Sequence, residues 1–373
     1  MGTPRHVLHV FSTFAPAGPE LRAVALMAGL GDGFRHTIVA MDDCHDAERH
    51  IPGGVAFELR PGPGDVGSRA AIGWTRRTLR ELRPDLLLTY NWGAFDAVIG
   101  ARLSRFRAHV HHEDGFNLDE AVKQVPRRLW ARRLFLRCTP TVIVPSRNLE
   151  RIAQDTWWLP ETRLQFIANG VDLEAYAPRD AEAARVRLGL PSKARVIGTV
   201  AGHRPVKRLD RLIEAFAKID AVHDAHLVLV GDGPERESLV RLAKERHVTT
   251  RVHMLGMRDD LPKIYPAFDV FCLSSDSEQQ PVSMLEAMGS GCPIVATDVG
   301  DVRATLPDGA APYLVDPNHA DASGELARAF SALLADPDAR QAQVIANRAR
   351  VEERYAFSSM LDRYRVLYDR ALG

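Results

Sequence analysis

The sequence predicts an α/β protein made of two Rossmann-like domains, each a parallel sheet covered by helices. Three observations carry that prediction. Strand-like and helix-like runs alternate from one end of the chain to the other, as βαβ units require. The alternation pauses once, from Tyr176 to Lys193, in a polar stretch that holds Pro178 and Pro191, and then restarts. A chain of 373 residues also exceeds what a single core ordinarily organises.

In chain order, Val7 to Phe11 is the first expected strand, and the loop Ser12 to Pro19 feeds a helix from Glu20 to Leu30. A strand at His36 to Met41 follows, then a helix around Ile72 to Leu82, a strand Asp85 to Tyr90 and a helix Ala94 to Leu103. Ala108 to His112 and Thr141 to Val144 read as strands, and Ser146 has the chemistry of an N-cap for the helix after it. Leu164 to Ile167 ends at the turn dipeptide Asn169-Gly170. Past the polar stretch come the strand Arg195 to Val200 and a helix from Leu209 to Ile219. There, Leu209, Leu212, Ile213 and Phe216 share one face. His226 to Val230, the turn Gly231-Asp232-Gly233-Pro234 and a charged helix to His247 continue the series. Val252 to Leu255, Asp269 to Leu273, Ile294 to Thr297 and Tyr313 to Val315 supply the later strands. Three helical stretches close the chain, the last from Phe357 to Leu372.

Charged residues make up 26% of the chain and the formal net charge is zero, so bulk electrostatics favour neither nucleic acid nor an acidic partner. Cys44, Cys138, Cys272 and Cys292 are scattered, with no Cys-x-x-Cys pair. Cys272 and Cys292 lie in apolar runs and read as buried thiols, not as metal ligands or a disulfide framework. The first strand follows Met-Gly-Thr-Pro-Arg-His with no signal-peptide core, and no apolar run is long enough to span a membrane. A cytoplasmic protein is expected.

The richest segment runs from Ser274 to Thr297. A strand ends in a polar loop bearing Glu278, a short helix carries Glu286, and Gly291-Cys292-Pro293 opens the next strand. Both carboxylates then sit at the carboxyl edge of a parallel sheet, where open α/β sheets bind ligands. The helix start at Val282 and Ser283 offers backbone N–H groups to a phosphate, while the carboxylates accept hydrogen bonds from sugar hydroxyls. Two solvated glutamates are the plainer alternative. The loop Gly202-His203-Arg204-Pro205-Val206-Lys207 adds a guanidinium fork and a mobile ammonium, which suit a pyrophosphate or else a solvated surface.

Three first-half features remain. His109-Val110-His111-His112-Glu113-Asp114-Gly115 ends a strand, with His109 and His111 on one face and His112 on the other. It lacks the helical spacing of hydrolytic zinc sites, so His111, His112 and Glu113 are read as an acceptor-side strand end and no metal is assigned. The first βα loop is no G-x-G-x-x-G; Gly18 either admits a phosphate to the backbone or simply starts a helix with Pro19. The run from Lys123 to Arg151 includes Arg127, Arg128, Trp130, Arg132 and Arg133. It reads either as a patch for an anionic membrane surface or as a sheet-covering helix with solvated arginines.

With these residues in place, the chain resembles glycosyltransferase family 4, of the GT-B fold. The resemblance rests on Asn169-Gly170-Val171-Asp172, Lys207 with Leu209-Asp210 and Leu212-Ile213-Glu214-Ala215-Phe216, and Gly231 to Glu235. It also rests on Leu255-Gly256 and on Glu278 to Glu286 with Ala287-Met288 and Gly291-Cys292-Pro293. It implies two Rossmann-like domains facing across a cleft, with the last helix crossing back. The domains would be residues 1–176 with 357–373 and residues 177–356. It also implies metal-independent, retaining transfer from a UDP- or GDP-linked sugar, a substrate and not a cofactor, to a hydroxyl acceptor. In that scheme Glu286 holds the ribose, Glu278 the sugar, Lys207 the diphosphate, Gly256 and Met257 the base, and Gly18 is the close-approach glycine. Three departures stand out. The family arginine five residues before the lysine falls on Gly202, leaving Arg204 to serve. Glu-Gly-Phe-Gly becomes Glu278-Gln279-Gln280-Pro281, and Pro281 has no N–H. The catalytic first-domain histidine falls on Asp114.

The expected function is therefore a hexosyltransferase acting on a glycan or lipid-linked acceptor in surface polysaccharide assembly, at the inner face of the plasma membrane and without nucleic acid. A nucleotide-sugar epimerase of the same fold and a non-catalytic nucleotide-sugar binding protein at the membrane are the alternatives. A dehydrogenase is disfavoured by the missing glycine fingerprint.

Overall fold

Runs such as Val7-Leu8-His9-Val10-Phe11 and Leu86-Leu87-Leu88 have little polar face, so they need cover on both sides; a parallel sheet between helix layers supplies it. The computed structural model describes residues 3–116, 120, 123–219 and 224–373. Contacts divide the chain into one unit that ends at Asn169 and recruits Ser359–Gly373, and a second unit, Gly170–Ser358.

The first unit contains β1 (Arg5–Phe11), β2 (Phe34–Ala40), β3 (Phe57–Arg60), β4 (Leu86–Tyr90), β5 (His109–His112), β6 (Thr141–Val144) and β7 (Leu164–Phe166). Among the described residues they form one parallel sheet in the order β3-β2-β1-β4-β5-β6-β7. Its helices are α1 (Gly18–Leu30), α2 (Ser68–Leu82), α3 (Phe95–Leu103), α4 (Pro126–Phe135) and α5 (Arg147–Asp155). Ser146 caps α5 as expected, its Oγ accepting the Leu149 N–H at 3.0 Å. The strand β3 was not anticipated: it is short, lies at the sheet edge and is only partly buried, so its apolar pattern is weak.

The second unit holds α6 (Ala181–Arg187), β8 (Arg195–Val200), α7 (Leu209–Ala217), β9 (Ala225–Val230), α8 (Arg236–Glu245), β10 (Val252–Gly256) and β11 (Val270–Leu273). Then come α9 (Val282–Gly289), β12 (Ile294–Thr297), α10 (Val302–Thr305), β13 (Leu314–Val315), α11 (Ala322–Ala335) and α12 (Pro337–Arg354). Its parallel sheet runs β10-β9-β8-β11-β12-β13. Alternate side chains feed opposite layers: Val228 and Val230 join one core, Leu227 and Leu229 the other, with Leu209, Leu212, Ile213 and Phe216 of α7. Cys272 and Cys292 are buried thiols.

The final helix, α13 (Phe357–Leu372), returns to the first unit, where Arg365 donates to the Gly29 carbonyl at 2.6 Å and Tyr364 stacks on His112. The division falls earlier than the polar stretch suggested. Val171 donates to the Tyr355 carbonyl at 2.8 Å and accepts from the Phe357 N–H at 2.9 Å, which ties it to the second unit. Within the polar stretch, α6 is capped by Asp180 and buries Arg185, which pairs with Asp269 at 2.9 Å. A buried ion pair gives no apolar periodicity, so the helix read as linker.

A polar seam crosses the first sheet. His9 bonds His36 and Tyr90, each at 3.0 Å, and His6 bonds Thr37 at 2.7 Å. His109 and His111 both meet the Thr89 hydroxyl, at 2.9 and 2.8 Å, which puts them on one face as the alternation predicted. Burial keeps His9, His36, His109 and His112 neutral: it lowers His36 to about 4 and His109 to about 3, and holds His9 and His112 well below the ordinary value. An unfolded histidine takes up its proton near 6.5, so below that pH the unfolded chain binds more protons and the fold loses stability. Each such group costs about 1.4 kcal/mol per pH unit until its folded pKa is reached. The urea midpoint should therefore fall steeply from pH 6.5 toward pH 4; a midpoint unchanged across that interval would contradict neutral burial.

Candidate functional site

Strand order reverses between β8 and β11 in the second unit, and the loops leaving their carboxyl ends flank that switch point, the usual ligand position of an open α/β sheet. The two loops are joined by hydrogen bonds. The Asp276 N–H donates to the Val206 carbonyl at 2.9 Å, and the Ser274 hydroxyl donates to the Lys207 carbonyl at 2.9 Å. Across this seam, Lys207 Nζ meets Glu278 Oε1 at 2.6 Å, and the Ser275 hydroxyl donates to the same oxygen at 2.7 Å. Lys207 keeps 24% of its side chain exposed and Glu278 10%, so the pair lies at the surface of its unit and can be reached.

Side chains absent from the sequence reading hold this arrangement. Arg211 is buried; it donates to the Ser274 carbonyl at 3.0 Å and to Asp276 at 2.6 Å. Arg208, in left-handed conformation at φ 47°, reaches Asp276 at 3.1 Å. Behind the Glu278 loop, Thr297 donates to the Ser275 carbonyl at 2.6 Å and the Asp301 N–H to the Gln279 carbonyl at 3.0 Å. Gly300 closes the contact at φ 53°, where a Cβ would stand 2.0 Å from the Glu278 carbonyl oxygen. Only Gly300 carried a sequence signal, as a glycine just past a strand.

Arg204 is exposed and forms no ion pair among the described residues. Its Nε lies 3.3 Å from where a Cβ on Gly202 would be, so the guanidinium folds back over the glycine. Val282 and Ser283 open α9, whose first N–H groups have no partner within the helix. Glu286 sits farther along α9. Tyr176 donates to its Oε1 at 2.8 Å and Tyr265 to its Oε2 at 2.7 Å. Burial raises the Glu286 pKa, and the two tyrosine hydrogen bonds work against that rise. Gly256 ends β10 at φ 70°, beside Met257, which is largely exposed.

The first unit corrects several expectations. His111, His112 and Glu113 are fully buried, so none of them is presented to an acceptor. His111 spends its nitrogens on Thr89 and Glu113, and His112 is stacked against Tyr90 at 4.5 Å. The strand that carries them is central, which the sequence did not reveal. Asp114 takes both Arg22 nitrogens, at 2.6 and 3.0 Å, while Arg22 also donates to Asn169 at 2.9 Å and Asn91 accepts the Asp114 N–H at 2.7 Å. Arg22, Asn91 and Asn169 were not singled out as site residues. Gly18 is the first residue of α1 with open space where a Cβ would be, and Pro19 follows it in the first turn.

The basic run also divides. Arg132 is fully buried: Glu120 takes two bonds at 3.0 Å, Glu113 lies at 3.5 Å, and the rings of Trp92, Phe116 and Trp157 surround it. It belongs to the interior, not to a surface patch. Burial opposes the charge on Glu120, but Arg132 and Arg128 hold its pKa below the usual range. Arg128 is half-buried in the same cluster. Arg127 and Trp130 do face outward, and Arg133 packs its guanidinium 3.7 Å from the Trp158 ring centre. Trp130, Leu134 and Trp158 are all exposed, and Trp158 is held at φ 58°. Among the described residues no group of three or more His, Cys, Asp or Glu is arranged to hold a metal ion, and no helix is long and apolar enough to cross a membrane.

Residues 16–175 match the family described as Glycosyltransferase Family 4, and residues 180–350 the family described as Glycosyl transferases group 1. The chain is 30% identical over 209 residues to N-acetyl-alpha-D-glucosaminyl L-malate synthase of Bacillus anthracis, covering 56% of this chain and 54% of that protein. It is 34% identical over 163 residues to D-inositol 3-phosphate glycosyltransferase of Mycolicibacterium smegmatis, covering 42% of this chain and 37% of that protein. The chain thus spans about half the length, or less, of the curated relatives it matches. Among solved structures, Anabaena HepE in complex with UDP and glucose has the same fold, with a TM-score of 0.82 at 21% identity over 98% of this chain and 100% of that one.

The close approach at Gly300 gives a direct test of the scaffold. Gly300→Ala forces a Cβ onto the Glu278 carbonyl at a backbone angle that disfavours alanine. It should cost about 1–3 kcal/mol, read as a lower urea midpoint. A variant as stable as the parent would show that the Glu278 loop is not fixed by this contact.

Proposed function

The chain belongs to glycosyltransferase family 4, with the paired Rossmann-like domains of the GT-B fold, and from that premise we propose that it is a retaining hexosyltransferase. Its donor would be a UDP- or GDP-linked sugar and its acceptor a hydroxyl of a lipid-linked glycan in surface polysaccharide assembly. The observation that carries the donor reading is the Lys207–Glu278 pair, 2.6 Å apart where the β8 and β11 loops meet. A cation suited to a diphosphate lies beside a carboxylate suited to sugar hydroxyls, on loops already held by hydrogen bonds. The neighbour solved with UDP and glucose supports the same donor class.

The reaction begins as the glycosidic bond to the diphosphate weakens. Positive charge builds at the anomeric carbon and negative charge grows on the leaving phosphate. Lys207, Arg204 and the first-turn N–H groups of Val282 and Ser283 stabilise that phosphate charge, the contribution that usually dominates such catalysis. These groups supply positive charge without a metal. Arg204, folded over Gly202, takes the part of the arginine that the family carries at the glycine position. The acceptor hydroxyl attacks from the face the phosphate leaves and gives it a proton, so configuration is retained with no covalent nucleophile, unlike the carboxylates of retaining glycosidases. Asp114, with Arg22 and Asn169, is a polar cluster of the first unit suited to an acceptor hydroxyl.

For the membrane, the exposed Trp130, Leu134 and Trp158 support an interfacial anchor, with Arg127 and Arg137 on the same segment to meet anionic headgroups. Arg132 takes no part in it.

Two measurements check these statements. With the donor identified by thermal-shift screening of nucleotide sugars, Lys207→Ala should lower turnover by about 10²–10³; near-normal turnover would remove the leaving-group role. In flotation with phosphatidylglycerol vesicles the protein should rise with the lipid. Arg127→Glu should weaken that partitioning about fivefold or more, from about 1 kcal/mol per charge, and Trp130→Ala with Trp158→Ala should weaken it further. A parent protein that stays at the bottom of the gradient refutes the anchor.

A further inference from the structure

Among the described residues of the second unit, Glu286 is unusual in that both its oxygens face tyrosine hydroxyls and no cation pairs with it. A phenol O–H donates to a carboxylate, so each tyrosine fills one acceptor position on Glu286 and favours its ionised form against the burial that opposes it. A carboxylate has about four lone-pair sites. Two are taken, one on each oxygen, and one on each oxygen remains. That remainder matches a vicinal diol, whose two hydroxyls donate one bond to each oxygen.

Both tyrosines are fixed by their surroundings. Tyr265 is fully buried, its ring against Phe268 and Phe271. Tyr176 is delivered by the turn after Asn169-Gly170-Val171-Asp172. There, the Asp172 carboxylate accepts the Glu174 and Ala175 N–H groups, both at 3.0 Å, and the Asp172 carbonyl accepts the Tyr176 N–H at 2.9 Å. Arg348 of α12 then fastens the turn to α9, bonding the Gly289 carbonyl at 2.7 Å and the Leu173 carbonyl at 3.3 Å. The two rings meet edge to face at 5.8 Å. The turn thus has a purpose that its sequence did not disclose: it brings a phenol to one side of the carboxylate while the β10–β11 connection brings another to the opposite side.

We propose that Tyr176 and Tyr265 are positioning residues that aim Glu286 at the 2′ and 3′ hydroxyls of the donor ribose, so that the site discriminates ribonucleotides from their dideoxy counterparts. This rests on the donor reading above and adds the device by which the ribose is recognised. Without the tyrosines, Glu286 would sit in a partly buried place with its charge opposed by burial alone, free to rotate away or take up a proton. With them, both the charge and the direction of the free lone pairs are set before the nucleotide arrives.

The test measures UDP, GDP and their 2′,3′-dideoxy forms by calorimetry on the full chain, from pH 5 to pH 8, for the parent, Tyr176→Phe and Tyr265→Phe. The parent should bind UDP or GDP more tightly than the dideoxy form. Tyr176→Phe removes one oxygen from a partly exposed ring and should melt as the parent does. It should bind the ribonucleotide about tenfold more weakly, the equivalent of 1.4 kcal/mol, while its affinity for the dideoxy form stays level. The acid-side loss of ribonucleotide affinity should also begin at a higher pH, because the carboxylate has lost a donor that favoured its charged form. Tyr265→Phe, if folded, should repeat both effects. Equal weakening of both nucleotides, or no change in either, with the parent still binding the ribonucleotide, would overturn the positioning role and leave the donor reading standing. A parent that binds neither UDP nor GDP overturns the donor reading and this inference with it.

Discussion

The ion pair between Lys207 and Glu278 is the constraint on which the second unit's candidate site depends. Lys207 is partly exposed and Glu278 keeps only 10% of its side chain exposed, so the pair is only partly screened by solvent. Its importance is geometric. The two residues belong to loops leaving β8 and β11, adjacent strands at the reversal of the sheet order, so the bond fixes how those loops approach each other. A lysine with four rotatable carbons would otherwise spread its charge over a wide arc. Held against Glu278, it offers that charge at one point on the rim, and Ser275 fixes the carboxylate oxygen from the other side.

Such a pair keeps its position only if the backbone beneath it does not yield, and the surrounding residues explain why it does not. Arg211 is buried beneath the β11 loop and bonds the Ser274 carbonyl, the Asp276 carboxylate and the Pro317 carbonyl. Gly300 presses the following segment against Glu278 from behind. The loops are therefore shaped by the protein's own contacts, which is the condition under which fixed charges stabilise a developing charge most strongly. Glu286 obeys the same logic with different chemistry: its neighbours are phenols, which orient a carboxylate without cancelling its charge.

How much of this the sequence disclosed depends on the range of the interaction. Thr141–Val144, Arg195–Val200 and Ile294–Thr297 were legible to the residue because a buried strand writes its own apolar run. The α7 face was legible because helical spacing repeats within one element. The strand β3 was not, since an edge strand with partial burial has little pattern to show. In the site, the loops carrying Arg204, Lys207 and Glu278 could be located from strand–loop–helix order, but their supports could not. Arg211 reads as one more charge on an amphipathic helix until the sheet brings Ser274 and Asp276 beneath it. Tyr176 and Glu286 are far apart in the chain, and nothing local in either predicts the other.

The basic run around α4 shows the same limit in reverse, where local pattern suggested a surface that the fold divides. Arg128, Arg132 and Arg133 look alike in sequence, yet Arg128 and Arg132 share Glu120 and the Trp92 ring while Arg133 lies elsewhere. Arg132 enters a box of three aromatic rings closed by Glu113 and Glu120, where a guanidinium is tolerated because two carboxylates and the ring faces replace its water. Removing either carboxylate would leave a buried charge short of a partner, which is why this arginine cannot be traded for surface duty. Arg133, one residue on, lies along Trp158 and keeps that ring outward in a left-handed backbone conformation. A positive φ on a β-carbon-bearing residue is strained, and the guanidinium stacked on the ring offsets part of that cost with a favourable cation–π contact. The helix thus uses one arginine to lock its inner face and its neighbour to shape the outer one.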